Sequence, residues 1–217
     1  MSTTLENELN DLRTQSKEKL PPAVSAVFAA DAERTEKTVE RDKFAQVGAT
    51  VGEFTLPDAN GGETSLSELV ADGPAVLVFY RGAWCPYCNV ALRAYQRDLL
   101  PELNRRGVRL AAISPQIPDG SLSAKEANGL EYSVLSDVGN IVARGLGITF
   151  RTSDEVREAQ SSLGLDLGVQ NGTGEWELPH PAVAVVAADR TIQFLDVHPD
   201  YTTRTDPAQV LAALDER

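Results

Sequence analysis

Six consecutive apolar residues, Ala75–Tyr80, lead through Arg81-Gly82-Ala83 into Trp84-Cys85-Pro86-Tyr87-Cys88, and a helix-patterned stretch follows. A short unbroken apolar run reads as a strand buried on both faces, which requires a sheet covered on both sides. Pro86 suits the first position of a helix, because its missing N–H is needed by no bond there and its φ is already helical. The chain therefore passes from a buried strand into a helix N-terminus that carries two thiols. Few folds can build that.

Cys85 and Cys88 are the only cysteines. A helix N-terminus offers unpaired N–H groups and a partial positive charge, both of which favour a thiolate over a thiol. Two intervening residues leave the sulfurs within disulfide reach. One can attack and the other resolve. The competing chemistry is zinc, which needs four ligands, and the remaining soft candidates are His180 and His198, neither in a second paired motif. No G-x-G-x-x-G or P-loop is present, so no nicotinamide, flavin or nucleotide site is expected, and no cofactor or metal.

The remaining elements alternate. Phe54 and Leu56, the turn Asn60-Gly61-Gly62, then Thr64 and Leu66 predict a β-hairpin. A helix is expected over about Pro86–Arg106, kinked or divided at Pro101 and ended by Gly107. Val108–Ser114 and Tyr132–Leu135 read as strands. Helices are expected near Ser121–Asn128 and over Val138–Leu146. Ala182–Ala187 and Thr191–Val197 form a second hairpin around Asp189-Arg190, and Pro207–Leu214 a closing helix. The expected class is α/β with a central mixed sheet flanked by helices. Residues 149–178 hold one helix, Asp154–Ser161, and a Gly-rich run that reads as a functional or mobile loop, with Trp176 as a packing anchor.

Residues 1–46 differ in character from 47–217 and read as a helical extension: Leu5, Leu9 and Leu12 lie at helical spacing, Pro21-Pro22 stops that helix, and a second runs from Ala23 to about Phe44. The extension is expected to pack on the main domain or on a second subunit. The longest apolar runs fall well short of the roughly 20 residues of a membrane span. The polar start MSTTLENELNDLRTQ has no hydrophobic core of a secretory signal, so a cytoplasmic setting is expected. Twenty basic against 32 acidic residues, a net charge of −12, argue against nucleic-acid or membrane partners.

The string Phe79-Tyr80-Arg81-Gly82-Ala83-Trp84-Cys85-Pro86-Tyr87-Cys88 resembles two branches of the thioredoxin-fold superfamily. Trp-Cys-x-x-Cys is similar to thioredoxin, and Cys-Pro-Tyr-Cys is the glutaredoxin form. The lead-in Phe-Tyr, the long helix, Leu135-Ser136-Asp137, the opening Val51-Gly52-Glu53-Phe54-Thr55-Leu56 and Leu66-Ser67-Glu68-Leu69 resemble peroxiredoxins of the alkyl hydroperoxide reductase C/thiol-specific antioxidant family. The likeness covers about residues 47–216 and implies a thioredoxin-like fold.

The two branches imply opposite roles for the sulfurs. Thioredoxin logic makes Cys85 the nucleophile. The peroxiredoxin pattern Pro-x-x-x-Thr-x-x-Cys lays its reactive cysteine on Cys88, its Thr on Cys85 and its Pro on Arg81. A Cys88 sulfenic acid would then condense with Cys85. The chain departs from both branches. The peroxiredoxin arginine is missing from Leu178-Pro179-His180-Pro181-Ala182-Val183, and Phe79 takes the place of thioredoxin's buried Asp. Pro181 matches the cis-proline of thioredoxins, which would bring His180 beside the sulfurs as a proton carrier or a structural residue. Arg81 is a candidate for lowering a thiol pKa and orienting a peroxide, and Trp84 and Tyr87 for shaping the cleft rim. Asp200-Tyr201-Thr202-Thr203-Arg204 reads as a structural loop, and Arg144 and Arg151 fall where they could face the site.

The expectation is a peroxiredoxin-like peroxidase for H2O2 or organic hydroperoxides, reduced by an external thiol, either thioredoxin-like or of low molecular weight. A homodimer is implied by the resemblance and the amphipathic extension. A thiol–disulfide oxidoreductase and a non-enzymatic redox sensor are the alternatives.

Overall fold

The computed structural model of the protein describes residues 4–216. Its elements run α1 (Leu5–Lys19), α2 (Pro22–Thr38), β1 (Thr55–Pro57), β2 (Glu63–Ser65), α3 (Leu66–Leu69), β3 (Ala75–Phe79), α4 (Pro86–Ala94), a π-helical turn Tyr95–Leu99, α5 (Leu100–Arg105) and β4 (Arg109–Ser114). They continue α6 (Pro118–Asn128), β5 (Ser133–Ser136), α7 (Ile141–Gly145), β6 (Thr149–Arg151), α8 (Asp154–Ser162), α9 (Leu167–Gln170), β7 (Glu177–Pro179), β8 (Ala182–Val186), β9 (Ile192–Val197) and α10 (Pro207–Asp215).

Five strands form the central sheet in the order β5-β4-β3-β8-β9. β3 pairs parallel with β4 and antiparallel with β8, so the sheet is mixed and β3 lies at its centre. The period-2 alternation of a strand sends Val76, Val78 and Tyr80 into one core and Ala75, Leu77 and Phe79 into the other. The first core packs under α1, the α4–α5 helix and α10. The second packs under the β1–β2 hairpin, α3 and α7. Every residue of β3 is buried, as an unbroken apolar run requires.

The helix after the cysteines runs without a break in helical backbone but widens into the π turn at Tyr95–Leu99, just before Pro101. A proline has no N–H for the carbonyl four residues back, and its ring crowds that carbonyl, so the turn before it opens. The expected interruption is thus real, displaced one turn toward the N-terminus.

α2 ends at Thr38, short of the expected Phe44, because Val39 turns extended; a 3-10 turn, Arg41–Lys43, follows. Residues 149–178 are more regular than expected. β6 and β7 pair antiparallel, α8 and α9 lie between them, and Leu167, Trp176 and Leu178 make a small core.

α1 is docked on the main body. Thr4 caps it by accepting from the Asn7 N–H, and Leu5 and Leu9 are each 3% exposed in the core that contains α4. α2 buries no residue fully. Leu9→Ala should therefore cost about 2–5 kcal/mol in denaturant unfolding, the usual scale for a fully buried leucine. The exposed Ala26→Ser should stay within about 0.5 kcal/mol. A loss at Leu9 no larger than that at Ala26 would mean α1 is not held by its leucines.

Candidate active site

The turn from β3 into α4 is held by its own backbone and by two polar side chains. The Tyr80 N–H donates to the Ile113 carbonyl and keeps the chain in the sheet for one more residue. Gly82 then adopts φ +149°, where a side chain is strained, and a Cβ there would collide with the Trp84 indole and the Gln116 amide. The Ala83 N–H donates to Gln116 Oε1 at 2.5 Å, and the Cys85 N–H to the Gly82 carbonyl at 3.1 Å. Asn89 Nδ2 donates back to the Ala83 carbonyl at 2.8 Å, and its Oδ1 accepts from Asn128. The cysteine turn is braced from both ends.

Cys85 occupies the N-cap of α4, Pro86 its first position and Cys88 its third. Both thiols are free and buried, at 1% and 0% exposed. Arg204 Nη2 donates to Cys88 Sγ at 3.0 Å. Burial pushes the Cys88 thiol up, but a hydrogen bond from Cys85, the charge of Arg204, the Arg81 backbone and the Arg81 charge outweigh it and hold the group well below its ordinary value. Cys85 goes the other way: burial, its hydrogen bond to Cys88 and the Cys88 charge hold it well above. The Arg204 contact thus favours negative charge on Cys88, with Cys85 as its hydrogen-bonding neighbour.

Arg204 comes from the segment expected to be only a structural loop, and nothing in its local sequence marks it. It is placed from outside. β9 returns the chain to the end of the sheet beside α4, where the Tyr95 hydroxyl donates to the Thr205 carbonyl at 2.8 Å. His198 Nδ1 bonds Thr203 Oγ1 at 2.7 Å and Nε2 bonds Asp196 Oδ2 at 3.0 Å, while Thr205 Oγ1 also donates to Asp196 at 2.9 Å. Arg204 Nη1 donates to the carbonyls of Tyr201 and Thr203. From α1, Arg13 donates to the Thr202 hydroxyl and carbonyl at 2.9 and 3.1 Å. The guanidinium that meets Cys88 thus comes from outside the 178–183 region, where spacing could not locate it.

Arg81, Trp84, Cys85 and Tyr87 line one cleft of about 580 Å³, walled by α1, α2 and α8. Arg81 is 6% exposed, with its guanidinium 5.0 Å from the Trp84 ring centroid and 4.4 Å from that of Tyr201. Cys88 instead borders a separate interior void of about 10 Å³ with Arg204, Thr205 and Tyr95, room for about one water molecule.

His180 and Pro181 do not line this cleft. His180 stacks on Phe150 at 4.5 Å and meets Phe44 edge-on, lining a different cleft; burial first, then the Arg81 and Arg41 charges, push it down to about 4. No cis peptide occurs among the described residues, so the expected cis-proline at Pro181 is not formed; its carbonyl accepts from the His198 N–H at 2.8 Å and so helps seat the Arg204 loop. Arg144 pairs with Glu177 and Arg151 with Glu175, away from the sulfurs. Among the described residues, no group of three or more His, Cys, Asp and Glu side chains is placed to hold a metal ion, and no helix is long and apolar enough to cross a membrane.

A putative peroxiredoxin of Mycobacterium tuberculosis is 34% identical over 103 residues, 48% of this chain and 66% of that protein, just under two thirds of its length. Peroxiredoxin Bcp of Escherichia coli K12 is 32% identical over 104 residues, 48% of this chain and 65% of its own. The crystal structure of peroxidoxin BcpB from Mycobacterium tuberculosis superposes with a TM-score of 0.62 at 24% identity, covering 79% of this chain and 97% of that one, and establishes the shared thioredoxin-like fold. The sequence model of the AhpC/TSA family matches residues 47–195, which takes in β1 through β8, both cysteines and most of β9. On that match, the chain belongs to the AhpC/TSA family.

Proposed function

We propose that the protein is a thiol-dependent peroxidase in which Cys88 attacks hydrogen peroxide or an organic hydroperoxide and Cys85 resolves the product. The observation that carries this reading is the 3.0 Å contact between Arg204 Nη2 and Cys88 Sγ. A buried guanidinium holds that sulfur as thiolate and offers a second positive pole to a peroxide oxygen. The Cys88 thiolate takes the terminal oxygen of ROOH and becomes a sulfenic acid, and the RO⁻ released is protonated to ROH. Cys85, held protonated beside it, attacks the sulfenic sulfur, forms the disulfide and releases water. Two electrons from an external thiol then restore both thiols.

Family membership supports the same reading for the whole cycle, including the external reductant, a homodimeric assembly and a cytoplasmic setting. The alternative with Cys85 as the attacking nucleophile finds less support, because the electrostatics of the turn hold that sulfur protonated. A redox sensor would share the first oxidation but not the turnover.

In Cys85→Ser, one equivalent of H2O2 should give a persistent sulfenic acid at Cys88 by mass spectrometry, whereas Cys88→Ser should stay reduced on the same timescale. If only Cys88→Ser reacts, Cys85 is the nucleophile and the assignment is reversed.

The pH dependence follows from the lowered Cys88 thiol. The rate of sulfenic acid formation should already be at its plateau below the ordinary thiol range and fall as pH drops through the depressed value, because only the thiolate attacks. Arg204→Ala removes the cation, so this limb should move to higher pH and the rate at neutral pH should drop by about tenfold or more, as one lost charge-assisted hydrogen bond implies. An unchanged limb, followed by thiolate absorbance at 240 nm, would mean Arg204 does not set the charge on Cys88.

A further inference from the structure

The two sulfurs face different spaces. Cys88 borders the water-sized void behind β3, whereas Cys85 borders the 580 Å³ cleft. A reductant arriving from outside at a Cys85–Cys88 disulfide therefore meets Cys85. That direction is also chemically favoured: attack on Cys85 expels the Cys88 thiolate, whose charge Arg204 stabilises, and a better-stabilised thiolate leaves faster.

The cleft itself indicates what attacks. Its volume falls within the range of about 300–1,000 Å³ typical of small-molecule sites. Cys85, at 1% exposed, lies below the reach of a flat protein surface. Arg81 borders the cleft almost fully buried between two aromatic faces, and its Nε has no hydrogen-bond partner. No carboxylate among the described residues pairs with it. The acids that line the cleft do not pair with Arg81: Asp31 is bound by Arg34, and Asp200 accepts from the N–H and hydroxyl of Thr202 within the cleft wall. Arg13 and Lys17 add positive charge to the α1 wall, and Leu20 and Phe28 supply apolar contact. The Arg81 charge acts on both sulfurs and, with no carboxylate paired to it, is available to an anion that enters the cleft.

We propose that this cleft binds an acidic low-molecular-weight thiol, its carboxylate on Arg81 and its sulfur on Cys85, and that this thiol is the reductant of the enzyme. The inference rests on the peroxidase reading for what forms the disulfide in the catalytic cycle. The thiolate R′S⁻ attacks Cys85, forming an R′S–Cys85 bond as the Cys85–Cys88 bond breaks and Cys88 leaves as thiolate. A second R′S⁻ attacks the R′ sulfur, giving R′S–SR′ and a Cys85 thiolate that takes a proton. Over the cycle, ROOH and two R′SH become ROH, water and R′S–SR′.

The test uses the full chain oxidised with diamide, which forms the disulfide without peroxide, so failure here is separable from failure of the peroxidase reading. Re-reduction is followed by stopped-flow fluorescence with glutathione, an acidic thiol, and with cysteamine, a cationic one, at rates normalised to thiolate. Glutathione should show saturation and exceed cysteamine by about tenfold or more, the scale of one charge-assisted hydrogen bond. Ala32→Trp, which narrows the cleft from α2, should abolish the saturation while leaving oxidation by diamide unchanged. On the wild-type protein, S-methylglutathione, which has no free thiol, should slow re-reduction competitively, and this arm does not depend on the variant folding. Equal, non-saturating rates for the two thiols would overturn the proposal. So would indifference to S-methylglutathione, or faster re-reduction by a thioredoxin that Ala32→Trp does not slow.

Discussion

A buried negative charge is tolerable only with a partner, and the contact of Arg204 on Cys88 is the constraint around which this protein is arranged. The sulfur is fixed by the strand-to-helix turn. The cation has to be delivered to it from the far end of the chain, and several elements cooperate in doing so. The β8–β9 hairpin returns the backbone to the right end of the sheet. The Asp196, His198, Thr203 and Thr205 bonds fold the loop, Tyr95 anchors it to the π turn, and Arg13 holds it from α1. Asp206 then caps α10 and ends the loop. Each contact is modest, about 1 kcal/mol net for a typical hydrogen bond, but together they define one position for one guanidinium.

The arrangement separates two tasks that one thiol could not perform. Cys88 keeps its charge in the interior, at a void with room for little more than one water molecule. Cys85 lies at the edge of the large cleft, where burial and the Cys88 charge disfavour its thiolate. The same N-cap position that gives thioredoxin-like motifs their reactive sulfur is here disfavoured for charge, because burial raises its thiol and it hydrogen-bonds Cys88, which the guanidinium also meets. Local motif and local helix field alone would assign the charge to the outer sulfur. The hydrogen bond from Cys85 and the distant cation together favour Cys88 instead.

Much of the fold was legible in the residues. The unbroken apolar runs Ala75–Phe79 and Ala182–Val186, the Asn60-Gly61-Gly62 turn and the Pro86 start are local signals that depend on near neighbours, and those elements form as expected. Within 149–178 the helix expected over Asp154–Ser161 forms and Trp176 packs as expected, but the β6–β7 pairing escaped the reading because it spans an intervening pair of helices, a contact that no local pattern encodes. The end of α2 was misplaced because its apolar stripe is sparse and no residue of it is fully buried, so the pattern carried little information about where helix gives way to extended chain. His180 and Pro181 looked like site residues by position relative to a late strand, yet the ring turned to Phe150 and Phe44 and the peptide stayed trans.

What the sequence determined by itself is the chemistry available: two thiols one helical turn apart at the mouth of a buried strand, with Arg81 four residues before the first. Those follow from covalent spacing and from the local preferences of proline, glycine and apolar residues. Only the tertiary structure brought a cation to one sulfur and set which space each one borders. Electrostatic energy depends on distance through space, and Arg204 lies 116 residues along the chain from the sulfur it touches. The walls of the cleft, likewise, come from α1, α2 and α8, which meet only after the chain has folded.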